Sequence, residues 1–528
     1  MSKELNELRS QSLRPGATCI DNSSFSPNIA RSASPATQAD DFSLSIEIVK
    51  IGSVIVSAGT AVEAFKIFAS LFHPILPILV PININAIYHS SPLLFWTIIA
   101  IVASHTTVPS SEGLYDQIAG PFQDMVRIEA LQAPLSLQSI LALLLLCMWP
   151  MPVEIQTKDP SWIYSGIATN SALFLGLHRT GSQPPPSGNN GLSGNPLERV
   201  MAWLGCFYVN SCLSMHFGLR VMFDSSAELA KITAYLEEWP ISREFASEIK
   251  LQAIIADFKN VLSHTANDGT VDSSILHLLD RELDTLRSSY PDQWPRMLEY
   301  NTLVSKLHMY GLVIVRDDLG NTARDILLKL AFSTCLRIIH LANMRQNGGL
   351  PESHGLSASQ QRSALPKAYF QGLCFTTIFL IRYFSLNTRA SPEEQQLAAS
   401  NVVISHTIFK SFPSPTDEFV RVARIIEDLC QLGPMTIDSR SVPGDKAGVW
   451  ILIRALKLAS RKRGNNATSN IEPITTASAP STSLNSCFSA ANQALDPWAM
   501  DMMLSDQYWS DPNWDPFVEA QFPSGQNG

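Results

Sequence analysis

Apolar residues recur at helical spacing along most of this chain. From about Phe42 onward the dominant period is close to 3.6 residues, and no period-two run indicates a strand. The clearest stripes are Leu197, Val200, Met201, Leu204, Phe207, Tyr208 and Ser211, followed later by Leu276, Leu279, Leu283 and Leu286. Further helices are predicted over 325–344, 366–386, 395–412, 416–431 and 446–460, with breaks near 265–272, 345–363 and 432–445. The pattern therefore predicts an all-α fold.

Two helix starts are marked by capping residues. Asp159 precedes Pro160, and Asn195 precedes Pro196 with Glu198 two positions further on. The first N–H groups of a helix have no partner within it, and a short polar side chain before the helix can accept a hydrogen bond from one of them. Proline has no N–H, so it is well tolerated at the first helical position, where that group would not be bonded within the helix. Behind the first start, one helix face carries Ile163, Ile167, Phe174 and Leu177. The sequence predicts helices beginning at Pro160 and at Pro196.

Two stretches, 67–87 and 140–149, are apolar almost throughout. The first is interrupted by His73, Pro74, Pro77 and Pro81, and the second has only about ten residues. A membrane-spanning helix needs about 20 apolar residues. Both stretches therefore predict buried helices, and we expect no membrane association. The first 39 residues also lack the apolar run of a signal peptide.

The net charge of −9 is unevenly distributed over the 528 residues. No Lys or Arg follows Arg463, whereas seven acidic residues do. Binding DNA through overall charge requires clustered basic residues, which this balance does not provide.

The cysteines and histidines do not form known site patterns. No two of the eight cysteines have C-x₂-C spacing, and no two of the eleven histidines are closer than thirteen residues. Cys147, Cys206, Cys335 and Cys374 lie in apolar helical segments, so we expect buried free thiols in a reducing compartment. Phosphate-binding glycine loops and nucleophile elbows are absent as well. We therefore predict that the chain is not an enzyme and has no catalytic, metal-binding or cofactor-binding residues.

Composition divides the chain into four segments. Residues 1–40 are rich in Ser, Pro and Asn, which predicts a disordered linker. Residues 41–463 form the predicted helical region. Residues 464–495 are a second disordered linker, rich in Ser and Thr, and residues 496–528 are a tail in which acidic and aromatic residues alternate.

Several motifs in the predicted helical region resemble one known family. The segments are Phe72-His73-Pro74-Ile75-Leu76-Pro77, Ser91-Pro92-Leu93-Leu94-Phe95-Trp96-Thr97-Ile98-Ile99, Asp159-Pro160-Ser161-Trp162, Leu175-Gly176-Leu177-His178-Arg179 and Glu198-Arg199-Val200-Met201-Ala202-Trp203. Their order and spacing resemble the middle homology region of the fungal binuclear zinc-cluster transcription regulators. At the position that corresponds to Asn210, many members of that family have an acidic residue. The resemblance implies an irregular multi-helix regulatory domain and a nuclear role in transcription regulation.

The zinc cluster of this family has no counterpart in the chain. The family's DNA-binding unit holds two zinc ions with six cysteines near the N-terminus, but only Cys19 precedes Cys147 here. Either the chain begins downstream of a cluster, or the protein lacks one and acts through partners. We expect neither bound zinc nor DNA binding by this chain alone. The expected partners are other transcription regulators or coactivators, a second copy of the chain, and a small-molecule effector.

Two short segments are candidate functional sites. The acidic-aromatic tail resembles an activation segment, with Trp498, Met502, Leu504, Trp509, Trp514 and Phe517 as the contacting side chains. Acidic residues keep such side chains solvated until they bind a coactivator. The run Arg461, Lys462 and Arg463 is a candidate nuclear import signal, although a basic run at a helix end is more often a solvated terminus.

The sequence thus predicts a transcription regulator of a metabolic or biosynthetic gene set, secondary-metabolite genes included. The alternative is a ligand-sensing or partner-binding helical module without DNA binding of its own.

Overall fold

The computed structural model describes most of residues 41–459. Its gaps are 107, 109, 154–157, 180–194, 224, 266–273, 291–293, 316–318, 348–357, 388, 413–417, 432–448, 450, 453–454 and 457–458. All described residues belong to the unit that begins at Asp40.

Helices dominate the described residues, which confirms the all-α prediction. In chain order they are α1 (Ala58–Leu71), α2 (Ile84–Ser90), α3 (Pro92–His105), α4 (Leu114–Glu129), α5 (Leu137–Met148), α6 (Ser161–Phe174), α7 (Pro196–Phe217), α8 (Ser226–Glu238), α9 (Arg243–Thr265), α10 (Ser274–Ser288), α11 (Arg296–Ile314), α12 (Asn321–Asn347), α13 (Ala358–Ser363), α14 (Lys367–Leu386), α15 (Pro392–Lys410) and α16 (Glu418–Cys430). A 3₁₀ turn at Leu177–Arg179 follows α6.

A β-hairpin precedes the first helix, so the prediction of helix from Phe42 is wrong. Strands β1 (Ile48–Ile51) and β2 (Val54–Ser57) pair antiparallel. Gly52 has a φ of 55°, the left-handed conformation that a two-residue hairpin turn needs. Two short β-branched runs separated by a Gly-Ser pair were the signal for this turn.

The helices from α1 to α9 surround a first hydrophobic core. Most residues of α3 and α5 are buried, which is why their sequences are apolar on every side. Trp149 is fully buried beyond the end of α5, and Phe72 contacts it edge to face with ring centroids 5.4 Å apart. The stretch at 140–149 is buried and helical up to Met148, as predicted, whereas residues 72–83 of the first stretch are not helical, so the prediction of a buried helix over 67–87 is wrong there. Within the described ranges, none of the helices combines the length and apolarity that a membrane crossing requires.

A second core is built mainly from α9 to α16. The predicted leucine stripe on α10 is buried in it. Four predicted helices are observed as α12, α14, α15 and α16, and residues 449, 451, 452, 455, 456 and 459 of the fifth are helical. The predicted break at 345–363 is wrong at its end, because α13 lies there.

Polar contacts join the first core to residues 364–367, which lead into α14, a helix of the second core. The indole Nε1 of Trp149 donates a hydrogen bond of 2.9 Å to the carbonyl of Ala364. The Lys367 ammonium lies 2.9 Å from Asp159 Oδ2 and 3.3 Å from Glu418 Oε1. The Asp159 side chain is 1% exposed and that of Lys367 is 14% exposed, and this ion triad ties the loop before α6 to α14 and α16.

The two predicted helix starts differ in detail. Asn195 and Glu198 form a capping box at the start of α7, as the sequence indicated. The other helix begins at Ser161, with Pro160 outside it, so the predicted start is one residue early. Asp159 still accepts a 2.9 Å hydrogen bond from the Ser161 N–H, but its position before the cap leaves its second oxygen free to reach Lys367.

Helix α6 directs its bulky apolar residues outward. Its buried residues are small: Ser161, Ser165, Ala168, Thr169 and Ala172. Leu177, just beyond the helix, is buried, whereas Ile163 is 64% exposed and Phe174 is 76% exposed. The face that the sequence pattern marks therefore does not lie wholly against the core. Small residues allow α6 to pack closely on α5 and α7, so its periodicity does not mark the core-facing side.

Candidate ligand cleft

Polar side chains are concentrated where α7, α9 and α11 meet. These eight, called the polar seam below, are Tyr208, Ser211, Cys212, His216, Glu248, Gln252, Asn301 and His308. Spacings of three, four or seven residues bring the members on each helix to one side of it. All but the partly exposed Asn301 are buried. Because burying polar groups is costly, such a concentration indicates a specific role.

Glu248 is the acidic member of the polar seam. The Asn301 amide donates a hydrogen bond of 2.9 Å to its Oε1, while its Oε2 is buried without a hydrogen-bond partner among the described residues. Burial raises the pKa of this carboxyl to about 7, and the Asn301 hydrogen bond partly opposes the shift. Burial also raises the pKa of Tyr208 and Cys212, and the nearby Glu248 adds to both shifts.

Two histidines lie together at the other end of the seam. The rings of His216 and His308 are 5.4 Å apart and nearly perpendicular. His308 also stacks on Phe375 of α14 at 4.0 Å. Burial lowers the pKa of His216 to about 4, so this ring is neutral at physiological pH. His216 therefore contributes a neutral ring that can form hydrogen bonds, and it adds no positive charge to the seam.

A narrow cleft opens beside these histidines. The space in it that the centre of a water-sized sphere can occupy is only about 30 Å³, and the cleft opens to solvent. The polar lining is Ser211, Gln252, Lys259 and His308, and the apolar lining is Met215, Val221, Ile255, Ala256, Met309, Leu312 and Val449. Ser211 Oγ is buried and has no hydrogen-bond partner among the described residues. An apolar cleft with a few convergent polar groups is the usual form of a small-molecule site.

The loop after α7 forms one wall of the cleft, and three side chains hold it. The Leu219 carbonyl accepts hydrogen bonds from Ser214 Oγ at 2.8 Å and from Lys259 Nζ at 3.0 Å. Asn210 Oδ1 accepts a bond of 2.9 Å from the Met222 N–H, and its Nδ2 donates to Ser165 Oγ at 3.3 Å. Asn210, where the resembled family often has an acid, thus fixes the loop from within α7.

The cleft also lies where the two cores meet. Ala256 belongs to the first core, whereas Ile255 and Met309 belong to the second. Ligand sites favour such boundaries, because a bound molecule contacts both sides. A ligand in this cleft would therefore connect the two halves of the described helices.

The cleft is not arranged for metal chemistry. In the part of the chain that the structure describes, no three His, Cys, Asp or Glu side chains could together hold a metal ion. Cys147, Cys206 and Cys335 are buried free thiols, and burial raises the pKa of Cys206 to about 12. These thiols are therefore protonated at neutral pH and act as core residues.

The candidate sites predicted from sequence lie elsewhere. Arg461, Lys462 and Arg463, and the tail side chains Trp498, Met502, Leu504, Trp509, Trp514 and Phe517, fall outside the described residues. His178 and Arg179 lie in the 3₁₀ turn, where Arg179 Nε is 3.0 Å from His178 Nε2 and Tyr235 donates to the His178 carbonyl. The structure brings neither residue to the cleft.

Sequence reasoning missed the polar seam. Gln252 and His308 are far apart in sequence, and each occupies an ordinary helical position. The available signal was the polar residue within an otherwise apolar helix face, such as Asn210 and Ser211 in α7. Such a residue indicates a buried polar group, but the sequence does not indicate which helices pack around it.

Comparison with known proteins identifies a domain in the first part of the described chain. Residues 65–307 match the fungal specific transcription factor domain. This range covers most of the first core, the polar seam up to Asn301 and much of the cleft, and it agrees with the family resemblance in the sequence motifs. No solved structure matches the chain.

The similar curated proteins are named as regulators. The transcriptional regulatory protein SEF1 of Candida albicans is 29% identical over 396 residues, which are 72% of this chain and 41% of that protein. The regulatory protein LEU3 of Saccharomyces cerevisiae is 26% identical over 291 residues, 49% of this chain and 32% of that protein. The putative transcription factor SEF1 of Eremothecium gossypii is 27% identical over 286 residues, 52% of this chain and 26% of that protein.

These matches span between a quarter and about two fifths of each relative's length. The names of these relatives describe regulators of transcription, and none of the names describes an enzyme.

Proposed function

Because this chain contains the fungal specific transcription factor domain at residues 65–307, we propose that it is the regulatory part of a nuclear transcription regulator. Its targets are a metabolic or biosynthetic gene set, secondary-metabolite genes included. The domain match is the observation that carries the proposal. The proposal assigns a separate role to each part of the chain. The helical region, residues 41–463, receives signals, and the tail, residues 496–528, contacts coactivators or other regulators.

A reporter assay tests the activating role of the tail. The full chain is fused to a heterologous DNA-binding domain and compared with a fusion that ends at residue 495. We expect the shorter fusion to lose most reporter expression, and Ala at Trp498, Trp509 and Trp514 to have the same effect. A matched control places Ala at Ser505, Ser510 and Ser524. Equal expression from all four fusions would exclude an activating tail.

Nuclear import is tested separately. A fluorescent fusion of the chain should leave the nucleus when Arg461, Lys462 and Arg463 are changed to Ala. Ala at the exposed Lys66, Lys250 and Arg296 removes the same charge from the described surface. Loss of nuclear signal in both variants, or in neither, would argue against an import signal at 461–463.

The cleft supports a second candidate function, the sensing of a small molecule. It combines apolar walls with Gln252, Lys259 and the Ser211 hydroxyl, which has no hydrogen-bond partner among the described residues, and it lies where the two cores meet. Purified chain is tested by thermal shift against a panel of small carboxylic acids and amino acids. A compound that acts in the cleft should raise the melting temperature of the native chain and of Lys250→Met, but not of Gln252→Leu. A panel without any shift would count against sensing.

A further inference from the structure

The cleft ends inward on part of the polar seam. Ser211 and Gln252 belong to both, and Glu248 lies one helical turn before Gln252 on α9. On α11, Ser305 precedes the cleft residue His308 by three positions and lies on the same side of the helix. Ser211, Gln252, Glu248 and Ser305 are called the inner end below. A buried carboxyl group thus lies one turn behind the innermost cleft residues.

Three oxygen atoms of the inner end have no hydrogen-bond partner among the described residues. They are Ser211 Oγ, Ser305 Oγ and Glu248 Oε2, and all three residues are more than nine tenths buried. A buried polar atom without a partner is costly, so such atoms usually bind a water or a ligand. Gln252 adds the oxygen of its carboxamide. The inner end therefore offers several oxygen atoms that can accept hydrogen bonds.

The charged group nearest to these oxygen atoms is the Glu248 carboxylate. Tyr208 and Cys212 of α7 face it, and burial raises both of their pKa values, so they stay protonated between pH 6 and 8. His216 is neutral in the same range, because burial lowers its pKa to about 4. Besides burial, only the Asn301 hydrogen bond shifts the pKa of Glu248 among the described residues. Ionised Glu248 therefore makes the inner end negative.

The cation of the cleft lies further away. Lys259 is seven residues beyond Gln252, which is about 10 Å along α9, and eleven residues beyond Glu248. Its ammonium group donates a hydrogen bond of 3.0 Å to the Leu219 carbonyl in the loop after α7. A ligand group at the inner end is therefore closer to the Glu248 carboxylate than to the Lys259 charge.

An ammonium group matches both the charge and the acceptors of the inner end. It carries a positive charge and three N–H donors, whereas a carboxylate has only acceptors and is repelled by ionised Glu248. The space of about 30 Å³ in the cleft holds two or three water-sized groups. That space admits an ammonium group and the first atoms of a slim chain.

The rest of the cleft suits an alkyl chain. Its lining is mainly apolar, with Met215, Val221, Ile255, Ala256, Met309, Leu312 and Val449. Methionine side chains are flexible and adapt to the shape of what they contact. Apolar walls with a few polar groups at one place fix both the position and the orientation of a small ligand.

We propose that the cleft binds a primary alkyl amine, with its ammonium group at Ser211 and Gln252 in front of Glu248 and its chain along the apolar lining. The proposal rests on the sensing function given above, because it names the class of molecule that is sensed. The chain of the amine contacts Ala256 of the first core and Met309 of the second, so binding stabilises their contact.

Three compounds with the same six-carbon chain test the ligand class on the full chain. Hexylamine is a cation, hexanol is neutral and hexanoate is an anion. At pH 8 we expect hexylamine to raise the melting temperature and, by calorimetry, to bind at least about tenfold more tightly than the other two. No binding of hexylamine, or equal binding of hexylamine and hexanol, would overturn the proposal. Tighter binding of hexanoate would overturn the amine class but leave the sensing function in place.

Glu248→Gln tests the role of the carboxylate. The variant loses the charge but keeps an oxygen that can accept the Asn301 hydrogen bond, so it is expected to fold. It should bind hexylamine at least about tenfold more weakly than the native chain. Glu244→Gln removes the same charge from an exposed position one turn earlier and should bind like the native chain. Equal affinities of the two variants would show that Glu248 takes no part.

The pH dependence of binding gives a second measurement on the same variants. With a pKa of about 7, the ionised fraction of Glu248 falls from about nine tenths at pH 8 to about one tenth at pH 6. An alkyl ammonium stays charged in this range, as the lysine side chain does. The native affinity for hexylamine should therefore fall about tenfold, and that of Glu248→Gln should not. Any titration of His308 would persist in the variant, so equal pH dependence in both proteins would contradict the proposal.

Ser211→Ala tests where the ammonium group lies. The variant removes one of the acceptors at the inner end, and we expect it to bind hexylamine several-fold more weakly. Ser247→Ala is the matched control, because Ser247 is also buried but its hydroxyl donates to the Arg243 carbonyl within α9. Equal affinities of the two serine variants would mean that the amine does not bind at the inner end, and the proposed site would then be wrong.

Discussion

At the scale of single residues, Glu248 has the most unusual environment in the polar seam. Burial raises its pKa to about 7, well above the value of about 4.3 expected in an unfolded chain. Between these values the folded protein binds more protons than the unfolded one. The free energy of unfolding therefore decreases as pH rises from about 4 to 7, and it does not recover above that range.

Glu248→Gln should remove this pH dependence. The variant keeps an oxygen that can accept the Asn301 hydrogen bond, but it cannot ionise. At pH 8 we expect it to be more stable than the native chain by about 3–4 kcal/mol, and by only about 1 kcal/mol at pH 5. Urea unfolding at both pH values measures this. Glu244→Gln, an exposed residue one turn earlier on α9, should change neither value, and identical behaviour of the two variants would contradict the argument.

The sequence does not distinguish these two glutamates. They are four residues apart on α9 and lie near the same side of the helix. Only packing against α7 and α11 buries Glu248, and that packing depends on residues more than 30 positions away. Buried polar sites of this kind follow from tertiary contacts, which periodicity does not contain.

At the scale of elements, glycine controls how closely α7 packs against its neighbours. A Cβ at Gly205 would lie 2.9 Å from Ile78 Cγ2 and 3.2 Å from Leu144 Cδ1, which are both in the buried core. Gly166 on α6 is also inside a helix, but it faces open space. Substituting alanine at both positions therefore distinguishes the helix preference of alanine, which acts at both, from the effect of crowding on stability, which acts only at Gly205.

Opposite changes in stability are expected at the two glycines. Gly166→Ala should stabilise the chain by up to about 1 kcal/mol, since alanine favours the helix. Gly205→Ala should destabilise it by about 1–2 kcal/mol, because crowding in a packed core outweighs that preference. Urea unfolding of the two variants measures both effects. A stabilised Gly205→Ala variant would show that Ile78 can move away at little cost.

Some of these helices could be predicted from the sequence, and others could not. The stripes of α7 and α10 and the Asn195 cap follow from local spacing, and the structure confirms them. The outward face of α6 could not be recognised, because small residues such as Ala168 pack as well as large ones when helices approach closely. The hairpin at 48–57 was predictable from its Gly-Ser turn.

At the scale of the described helical unit, the ion triad of Asp159, Lys367 and Glu418 connects helices of the two cores. Burial opposes ionisation of Asp159, but the Lys367 charge and hydrogen bonds from Ser161 and Lys367 lower its pKa overall. Burial likewise disfavours the Lys367 cation, but Glu418 and Asp159 raise its pKa. Both groups are therefore charged at neutral pH. As pH falls below about 4 and through the lowered pKa of Asp159, the stabilisation from this carboxylate is lost.

Removing the cation should weaken the connection between the cores. Lys367→Met leaves the buried Asp159 carboxylate without its counterion, so we expect a loss of about 3–5 kcal/mol at pH 7. Adding Asp159→Asn should recover part of it, because the buried charge is then absent. Lys410→Met removes an exposed ion pair with Glu427 and should cost less than about 1 kcal/mol.

Urea unfolding gives these free energies, and hydrogen exchange shows where the loss occurs. If the triad connects the cores, Lys367→Met should increase exchange in α6 and in α14 together, although α6 is built around the first core and α14 around the second. Faster exchange in α14 alone would mean that Lys367 stabilises only its own helix. Since the cleft lies at the same boundary, a ligand bound there would stabilise the contact that this substitution weakens.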